Sequence, residues 1–319
     1  MRVAILIPCF NEAVAIGQVV TDFRAALPRA RIIVCDNAST DDTAARARAA
    51  GAEVLAEPRR GKGNAVRRLF ADVEADAYIL VDGDGTYDAA AAPALLALFA
   101  AGGLDMVTAT RVNAAATAYR PGHVLGNRVI SGTIARLFGA GAPDMLSGYR
   151  VFSRRFVKSF PALAEGFETE TEFTVHALEL GMPVGHLETA YRERPAGSHS
   201  KLSTFRDGGR IGLTVLALLK RERPLPFFGL IAAALAGLGV LLALPVLEEF
   251  ARTGLVPRLP TAVLSMGLVL AGLLSLTCGL VLDTVTRGRR EAKRMAYLAV
   301  PATNPDPRRA DSANNGEES

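Results

Sequence analysis

The chain has 319 residues, 50% of them hydrophobic, with a net charge of +4, a pI near 9.1 and a mean hydropathy of +0.24. This length accommodates one α/β domain of roughly 200 residues and a smaller unit, and the hydropathy, high for a soluble enzyme, predicts membrane segments. The weak basic charge, without a basic stripe, does not argue for a nucleic-acid partner and is compatible with an anionic membrane surface or phosphate substrates. Three cysteines without motif spacing argue against a disulfide framework or zinc site and for a reducing cytosol.

The first 110 residues alternate short apolar runs with helical patterns. An apolar face from Ile16 to Leu27 predicts one helix, and Ser39 or Thr40 is placed to cap a second helix that runs to Ala50. The apolar runs are too short for helices and predict five buried strands. These runs are Val3 to Ile7, Arg31 to Cys35, Glu53 to Ala56, Tyr78 to Val81 and Met106 to Ala109. Strands separated by such helices predict a mainly parallel, Rossmann-like α/β sheet flanked by helices, with ligands bound beyond the carboxyl ends of its strands.

The middle of the chain, residues 111–207, is less regular. Its periodicity predicts helices at about 127–138 and 171–180, and we interpret this part as the acceptor side of a binding site. The apolar run from Val3 to Phe10 is too short for a signal peptide, so we expect the N-terminal domain to stay in the cytosol.

The C-terminal third predicts a membrane anchor. Residues 207–226 have the pattern of an amphipathic interfacial helix. Residues 227–247 and 262–282 lack charged side chains, and each run is long enough to cross a hydrocarbon core of roughly 30 Å as a helix. The expected division is 1–206 for the α/β domain, 207–226 for the interfacial helix, 227–286 for a two-helix transmembrane hairpin and 287–319 for a basic juxtamembrane segment and disordered tail. The alternative is a soluble domain with two buried core helices.

Basic residues flank the predicted hairpin on one side of the membrane. They are Lys220, Arg221 and Arg223 before the first span and Arg287, Arg289, Arg290, Lys293 and Arg294 after the second. The loop between the spans balances Glu248 and Glu249 against Arg252 and Arg258. Because basic flanks face the cytoplasm, we expect a multi-pass protein of the inner (cytoplasmic) membrane, with the N-terminal domain and both termini cytoplasmic.

Two carboxylates, Asp82 and Asp84, follow the fourth predicted strand with Gly83 between them. Such a pair can hold Mg²⁺ or Mn²⁺, which takes carboxylate and water oxygens and bridges a diphosphate. The alternative is a solvated acidic turn, which is common after strands. Glu12 follows the first predicted strand and Asp36 ends the second. Because parallel strands end at one edge, these carboxylates favour the metal interpretation.

The segments around these residues resemble the family 2 glycosyltransferases of the GT-A type. They are Pro8-Cys9-Phe10-Asn11-Glu12, the run from Cys35 to Thr43 and the run from Tyr78 to Asp88. The most similar members are the polyprenol-phosphate sugar synthases, such as dolichol-phosphate mannosyltransferase and the bacterial enzymes that glycosylate undecaprenyl phosphate. The resemblance covers roughly residues 1–210 and extends to the following anchor, and it implies that residues 1–206 form a GT-A catalytic domain.

The resemblance also implies how this edge binds a nucleotide sugar. The residues implied for the base and ribose are Pro8, Phe10, Glu12 and Asp36. Asp82 and Gly83 would contact the ribose and diphosphate, and Asp84 and Asp82 would hold Mg²⁺ or Mn²⁺. Thr86 stands where relatives often place a second metal-side ligand, commonly a glutamine.

Basic residues are expected around the donor phosphates. Lys62 lies in a glycine-rich loop, residues 59–65, that enters a helix, where it could meet phosphate; a solvated basic turn is the alternative for the two arginines of this loop. Arg194 and Lys201 match a family segment that closes on the nucleotide phosphates, with one extra residue between them here.

On the acceptor side, Arg111 ends a predicted strand and Arg128 opens a predicted helix, and two guanidiniums there would suit an acceptor phosphate. Surface salt bridging is the alternative. Glu170 and Glu172, in the first turn of a predicted helix, align with the acidic residue of relatives. Either glutamate could supply a base, or both could serve as partners of the helix dipole.

The implied function is inverting transfer of a sugar from a UDP-sugar, or a GDP-sugar, to a polyprenyl phosphate for cell-envelope glycan assembly. One alternative is a glycosyltransferase acting on another lipid or glycan acceptor. An alternative of another class is a catalytically inactive membrane scaffold or sugar-nucleotide-binding protein. The implied partners are the nucleotide sugar, the lipid and the membrane, with no nucleic acid; a homo-oligomer formed through the hairpin is also open. The identity of the sugar is left undetermined.

Overall fold

This computed structural model describes residues 1–112, 144–162, 169–192, 216 and 219–302. The chain divides into two compact units, one of Met1–Gly208 with Lys293–Ser319 and one of Gly209–Ala292. Each unit is described separately below.

The first unit is built on a seven-stranded sheet with the order β3-β2-β1-β4-β6-β5-β7. Its strands are β1 Val3–Cys9, β2 Arg31–Asp36, β3 Glu53–Ala56, β4 Ala77–Leu80, β5 Met106–Val112, β6 Arg150–Ser153 and β7 Val184–Ala190. Only β6 runs antiparallel to its neighbours β4 and β5; the other described pairs are parallel. The mainly parallel α/β fold predicted from the sequence is confirmed, and its five predicted strands are β1 to β5.

Helices cover both faces of the sheet because its central strands are apolar on both sides. The described helices of this unit are α1 Ile16–Ala26, α2 Thr43–Ala49, α3 Lys62–Asp72, α4 Ala92–Ala101, α5 Arg154–Ser159 and α6 Thr169–Leu180. Ile5 and Ile7 of β1 enter one hydrophobic core, which includes Phe23 of α1. Leu6 enters the opposite core, which includes Phe70 of α3. A strand with this two-sided burial reads as a continuous apolar run, as in β1.

Helix α2 begins later than the sequence suggested. Ser39 and Thr40 do not cap it; instead the Asn11 backbone N–H donates to Ser39 Oγ (3.0 Å) and the Thr40 N–H donates to Asn11 Oδ1 (2.8 Å). These bonds tie the loop after β1 to the loop after β2, so hydroxyl and amide groups expected to start the helix connect two strand ends. The predicted helix at 127–138 lies outside the described residues, and most of the predicted interfacial helix, 207–226, does too.

The strand register fixes which residues meet at the carboxyl edge of the sheet. Cys9 pairs with Asp36, and Leu6 pairs with Leu80, two residues before Asp82. The ends of β1, β2 and β4 therefore lie side by side, as the parallel topology predicted. We call this edge the carboxylate rim; it contains residues 8–12, 36–37 and 82–86.

The second unit contains two long apolar helices, α7 Pro224–Thr253 and α8 Leu259–Leu298, the last turn of which is counted with the first unit. By length and composition both could cross a membrane, and only 17% of the most apolar stretch of each is buried. Such low burial counts against two core helices of a soluble domain.

The two apolar helices pack closely through small residues. A Cβ atom on Gly272 would lie 2.9 Å from the Ala232 carbonyl oxygen, and one on Gly239 would lie 2.8 Å from the Ser265 carbonyl oxygen. Ser275 Oγ donates to the Phe228 carbonyl oxygen (3.1 Å). Close approach of backbones at small residues is typical of helix pairs in membranes, and the two helices form a hairpin.

The end of α8, from Lys293 onward, is itself part of the first unit and bonds other residues of that unit. Lys293 Nζ donates to Glu179 Oε2 of α6 (2.6 Å), and Tyr297 Oη donates to Asp105 Oδ2 (2.7 Å). Asp105 also accepts from Arg155 Nε (2.6 Å). Part of the segment predicted as basic and juxtamembrane is therefore helical and makes buried polar contacts.

We expect Gly272→Leu to destabilise the hairpin, because the new side chain would meet the Ala232 backbone and force the helices apart. Overpacking of this kind costs roughly 1–3 kcal/mol. Gly267→Leu is the matched control, since a Cβ atom there meets nothing within 4 Å. The measurement is the unfolding temperature of the full chain in detergent, and equal shifts for both variants would contradict the close packing.

Candidate active site

Three carboxylates of the rim are close enough to the buried thiol of Cys9 to affect its pKa. Burial raises the pKa of Cys9 well above its usual value, and the nearby negative charges of Glu12, Asp82 and Asp36 raise it further. These carboxylates follow or end β1, β4 and β2 respectively. The structure thus brings together the three strand ends from which the sequence predicted a shared site.

The end of β1 offers an aromatic ring and a carboxylate. Pro8 is the buried sixth residue of β1, and the Arg60 guanidinium lies 5.1 Å above the Phe10 ring in a cation–π contact. Glu12 is mostly buried, and its backbone N–H donates to Thr43 Oγ1 (2.8 Å). The exposed Arg60 side chain therefore contacts the rim through the Phe10 ring.

Asp36, the last residue of β2, and Asn37, which follows it, have different roles. Asp36 is half-buried, and its Oδ1 accepts from the Ser39 N–H (3.3 Å). Asn37 is buried and holds the next loop: its Nδ2 donates to the Arg59 carbonyl (2.6 Å), and its Oδ1 accepts from the Gly61 N–H (2.7 Å). Sequence reasoning missed Asn37, whose signal was an amide placed directly after Asp36.

Lys62, which begins α3, pairs with the rim carboxylate Asp82. Its Nζ donates to Asp82 Oδ1 (2.5 Å) and also to Glu170 Oε1 of α6. Burial alone would lower the pKa of Lys62, but the two carboxylates outweigh it and raise that pKa well above the usual lysine value. Burial raises the pKa of Glu170, and the nearby lysine opposes that rise. A charged lysine so close to both carboxylates is best described as an ionic bridge between α3, β4 and α6.

Asp84 is buried and oriented by its own turn. Its Oδ1 accepts from the Thr86 hydroxyl (2.6 Å) and from the Thr86 N–H (3.1 Å). Gly83 is required beside it, because a Cβ atom there would lie 2.4 Å from Cys9 Sγ. Thr86 thus acts on Asp84, and its predicted role as a metal-side ligand stays a prediction.

Asp82 is confined by a backbone from the other half of the domain. A Cβ atom on Gly148 would lie 2.4 Å from Asp82 Oδ2. The Gly148 N–H donates to Tyr87 Oη (2.8 Å), and the Tyr87 ring packs edge-on against Tyr149 and Tyr191. This aromatic cluster fixes the loop before β6 against the rim.

Arg111, at the end of β5, makes a bidentate ion pair with Asp144. Its Nε donates to Asp144 Oδ2 (2.7 Å), and its Nη2 donates to Oδ1 (2.8 Å). The guanidinium also lies 5.3 Å above the Tyr191 ring. This pairing agrees with the salt-bridge alternative, and contact with an acceptor phosphate stays a prediction.

Arg150, the first residue of β6, is fully buried. It donates to the carbonyl oxygens of Met145 (2.7 Å) and Ser147 (3.0 Å) and to Thr174 Oγ1 of α6 (2.9 Å). Burial lowers the pKa of Arg150 to about 10. Sequence reasoning did not identify this residue as an organiser of the site, because buried arginines are rare and give no sequence signal.

The two glutamates of α6 differ in exposure. Glu170 is buried and Glu172 half-buried. His176, on the same helix, lies 3.0 Å from Ser159 Oγ, and burial lowers its pKa to about 3, so it is a packed neutral side chain. Three sequence-predicted site residues, Arg128, Arg194 and Lys201, lie outside the described residues.

A divalent cation fits the residues that the rim provides. Among the described residues no group of three or more His, Cys, Asp or Glu side chains could hold a metal ion. Mg²⁺ and Mn²⁺ sites that bind a diphosphate commonly use one or two carboxylates, with water and phosphate oxygens completing the coordination. Asp84 and Asp82 supply that number of carboxylates at the end of β4.

The same fold occurs in known nucleotide-sugar enzymes. A structure of glucosyl-3-phosphoglycerate synthase from Mycobacterium tuberculosis, with Mn²⁺, uridine diphosphate and phosphoglyceric acid, superposes with a TM-score of 0.57 at 23% identity. The match covers 69% of this chain and 78% of that one. At this identity it shows the GT-A fold alone.

Sequence comparison identifies the family. The profile of glycosyl transferase family 2 matches residues 4–160. Glycosyltransferase AglJ of Haloferax volcanii is 35% identical over 303 residues, which cover 93% of this chain and 98% of that protein. A dolichyl-phosphate hexose transferase of the same organism is 26% identical over 69% of this chain and 95% of its own length. The chain therefore belongs to glycosyl transferase family 2.

Proposed function

We propose that this chain transfers a sugar, with inversion, from a nucleotide sugar to a polyprenyl phosphate at the cytoplasmic face of a membrane. Family membership supplies the general activity, transfer from a nucleotide-sugar donor. The carboxylate rim supports the rest of the proposal: the parallel register of β1, β2 and β4 places Glu12, Asp36, Asp82 and Asp84 at or just after the ends of three neighbouring strands. We expect these carboxylates to face the nucleoside and the diphosphate of one donor.

The lipid acceptor is supported by one relative and by the hairpin. The similar Haloferax volcanii protein is named a dolichyl-phosphate hexose transferase. The similarity to AglJ covers 93% of this chain and so extends into the apolar helices. A polyprenyl tail lies in the bilayer, and an enzyme anchored by helices that long needs only to present its site at the headgroup plane.

On the donor side, we assign Pro8, Phe10, Glu12 and Asp36 to the base and ribose, and Asp82 and Gly83 to the ribose and diphosphate. Asp84 and Asp82, with Thr86 beside them, would hold Mg²⁺ or Mn²⁺. Such an ion, when bound, neutralises charge that develops on the departing diphosphate. Arg194 and Lys201 would close on the same phosphates. Uridine is the preferred base and guanosine stays open.

On the acceptor side, the phosphate oxygen attacks the anomeric carbon from the face opposite the leaving diphosphate. A phosphate is already ionised at neutral pH, so it needs orientation more than deprotonation. Arg111 and Arg128 are assigned to that orientation, Arg111 only if its guanidinium can serve Asp144 and the phosphate together. Glu170 and Glu172 are the candidates for a base, should one be needed.

The expected location is the inner membrane, with the catalytic domain and both termini in the cytoplasm. Basic residues on both outer flanks of the hairpin support this orientation. A homo-oligomer formed through the hairpin is also open.

A second candidate function uses the same donor and a different acceptor. The structural neighbour was solved with phosphoglyceric acid, a small phosphate-bearing molecule. A soluble phosphorylated acceptor, or another lipid or glycan, would use the same rim.

The direct test is to incubate membranes containing the chain with labelled UDP- and GDP-sugars and extract the lipid. We expect label in a lipid fraction that mild acid releases, because a sugar linked to a polyprenyl phosphate through its anomeric carbon is acid-labile. Label should require Mg²⁺ or Mn²⁺ and disappear with a chelator. Label only in water-soluble products would favour the second candidate, and none from any donor would contradict transfer.

Asp84→Asn should lower turnover by at least about 100-fold, the usual cost of losing one group that stabilises developing charge. The variant should remain folded, because Asn can still accept from the Thr86 hydroxyl. Asp76→Asn is the matched control, since Asp76 precedes the same strand at its opposite end and bonds Arg2. An active Asp84 variant would refute the metal assignment.

Gly148→Ala should raise the donor KM by about tenfold, equivalent to about 1.4 kcal/mol of binding, because the added Cβ must displace the Asp82 carboxylate. The Gly148 N–H bond to Tyr87 is kept. Gly17→Ala in α1, where a Cβ meets nothing within 4 Å, is the control. An unchanged KM would show that the position of Asp82 does not matter for the donor.

A further inference from the structure

Lys62 forms ion pairs with one partly exposed carboxylate and one buried carboxylate. Asp82, on the rim, keeps 29% of its side-chain surface exposed, whereas Glu170 keeps 6% and Lys62 itself 12%. Glu170 therefore lies behind the lysine, on the side away from solvent. The order from the open rim inward is Asp82, Lys62, Glu170.

Glu170 is poorly placed to remove a proton from an acceptor. One carboxylate oxygen, Oε1, bonds Lys62. The other, Oε2, is buried and has no hydrogen-bond partner in the described part of the chain. A general base must come within hydrogen-bond reach of the proton that it takes, whereas one oxygen of Glu170 is occupied by Lys62 and the other is buried.

The backbone of Glu170 is held by contacts with Thr174 and, through it, Arg150. Its carbonyl oxygen accepts from Thr174 Oγ1 (3.4 Å), which in turn accepts from Arg150 Nη1 (2.9 Å). Arg150 also binds the carbonyl groups of the loop that ends at Gly148, the glycine that confines Asp82. Lys62 and Gly148, the two residues that constrain Asp82, are thus both connected to Arg150: Lys62 through Glu170 and Thr174, and Gly148 through its own loop.

The geometry points to Glu170 as a positioning residue that fixes Lys62, and through Lys62 the Asp82 carboxylate, for binding of a metal-bound nucleoside diphosphate. Lys62 needs such a partner because its side chain is flexible. A lysine has four rotatable side-chain bonds, and a buried acceptor at its tip removes that freedom before the ligand arrives. The identity of the ligand rests on the proposed function, whereas the positioning itself does not.

The first arm of the test measures unfolding temperatures of the full chain in detergent for Lys62→Met, Glu170→Gln and the double variant. Lys62→Met leaves the Glu170 carboxylate buried without its cation, which is strongly destabilising. Removing both charges should recover at least half of the lost unfolding temperature. Additive losses would overturn the positioning role.

The second arm measures binding of UDP and of GDP, each with Mn²⁺, by titration calorimetry. We expect Glu170→Gln to weaken binding by about tenfold and to have little further effect in the Lys62→Met background. In turnover assays the same variant should raise the donor KM more than it lowers kcat. Unchanged binding with kcat lost would instead identify Glu170 as a base and overturn the inference.

The matched control lies on the same helix. Glu179 pairs with Lys293 at 2.6 Å, and its side chain is buried like that of Glu170, with 1% of its surface exposed against 6%. It lies nine residues, about 14 Å, along α6 from Glu170. Glu179→Gln should lower the unfolding temperature without changing nucleotide binding. An equal loss of binding in this variant would show that any buried charge on α6 matters and would overturn the specific role of Glu170.

The two proposals fail separately. If the unaltered chain binds neither nucleotide with Mn²⁺, the donor assignment under the proposed function is contradicted. The unfolding cycle then still decides whether Glu170 and Lys62 act as one unit.

Discussion

Parallel pairing of β1 with β2 and β4 is the constraint on which the site depends. The register aligns Cys9 with Asp36 and Leu6 with Leu80, so three loops leave the sheet at one edge. A slip of one residue would move every side chain of a strand to the opposite face of the sheet, into a core packed by other side chains. The same packing that stabilises the sheet therefore fixes the relative positions of the rim carboxylates.

Negative side chains gather at the rim because three parallel strands end there. Glu12, Asp36 and Asp82 are near enough to Cys9 for their charges to raise its pKa, and Asp82 also pairs with Lys62, which in turn pairs with Glu170. Neighbouring carboxylates repel one another and attract cations. Under the proposed function, a divalent cation that accompanies the anionic diphosphate would offset this repulsion.

Much of this arrangement could be predicted from the sequence, and the omissions have a common cause. The first five strands are continuous apolar runs followed by polar turns, a local signal. Strand β6 was not predicted, because four residues beginning with Arg150 resemble no strand until β4 and β5 lie on either side. Contacts between single side chains that are far apart in sequence are equally hard to predict. Lys62 was predicted to meet phosphate, but its buried partner Glu170 is 108 residues away in sequence, and no local pattern could pair them.

The antiparallel strand β6 also has a consequence for how the domain is assembled. It is inserted between β4 and β5, with Ala77 aligned to Ser153, so the centre of the sheet joins segments that are far apart along the chain. During synthesis the β1 to β4 layer can form first, since all four of these strands precede β6 in the chain, while the β4 edge stays open until β6 leaves the ribosome. An open edge beside apolar strands invites pairing with other chains. The nascent chain is thus most vulnerable to aggregation in the interval before residue 153 emerges.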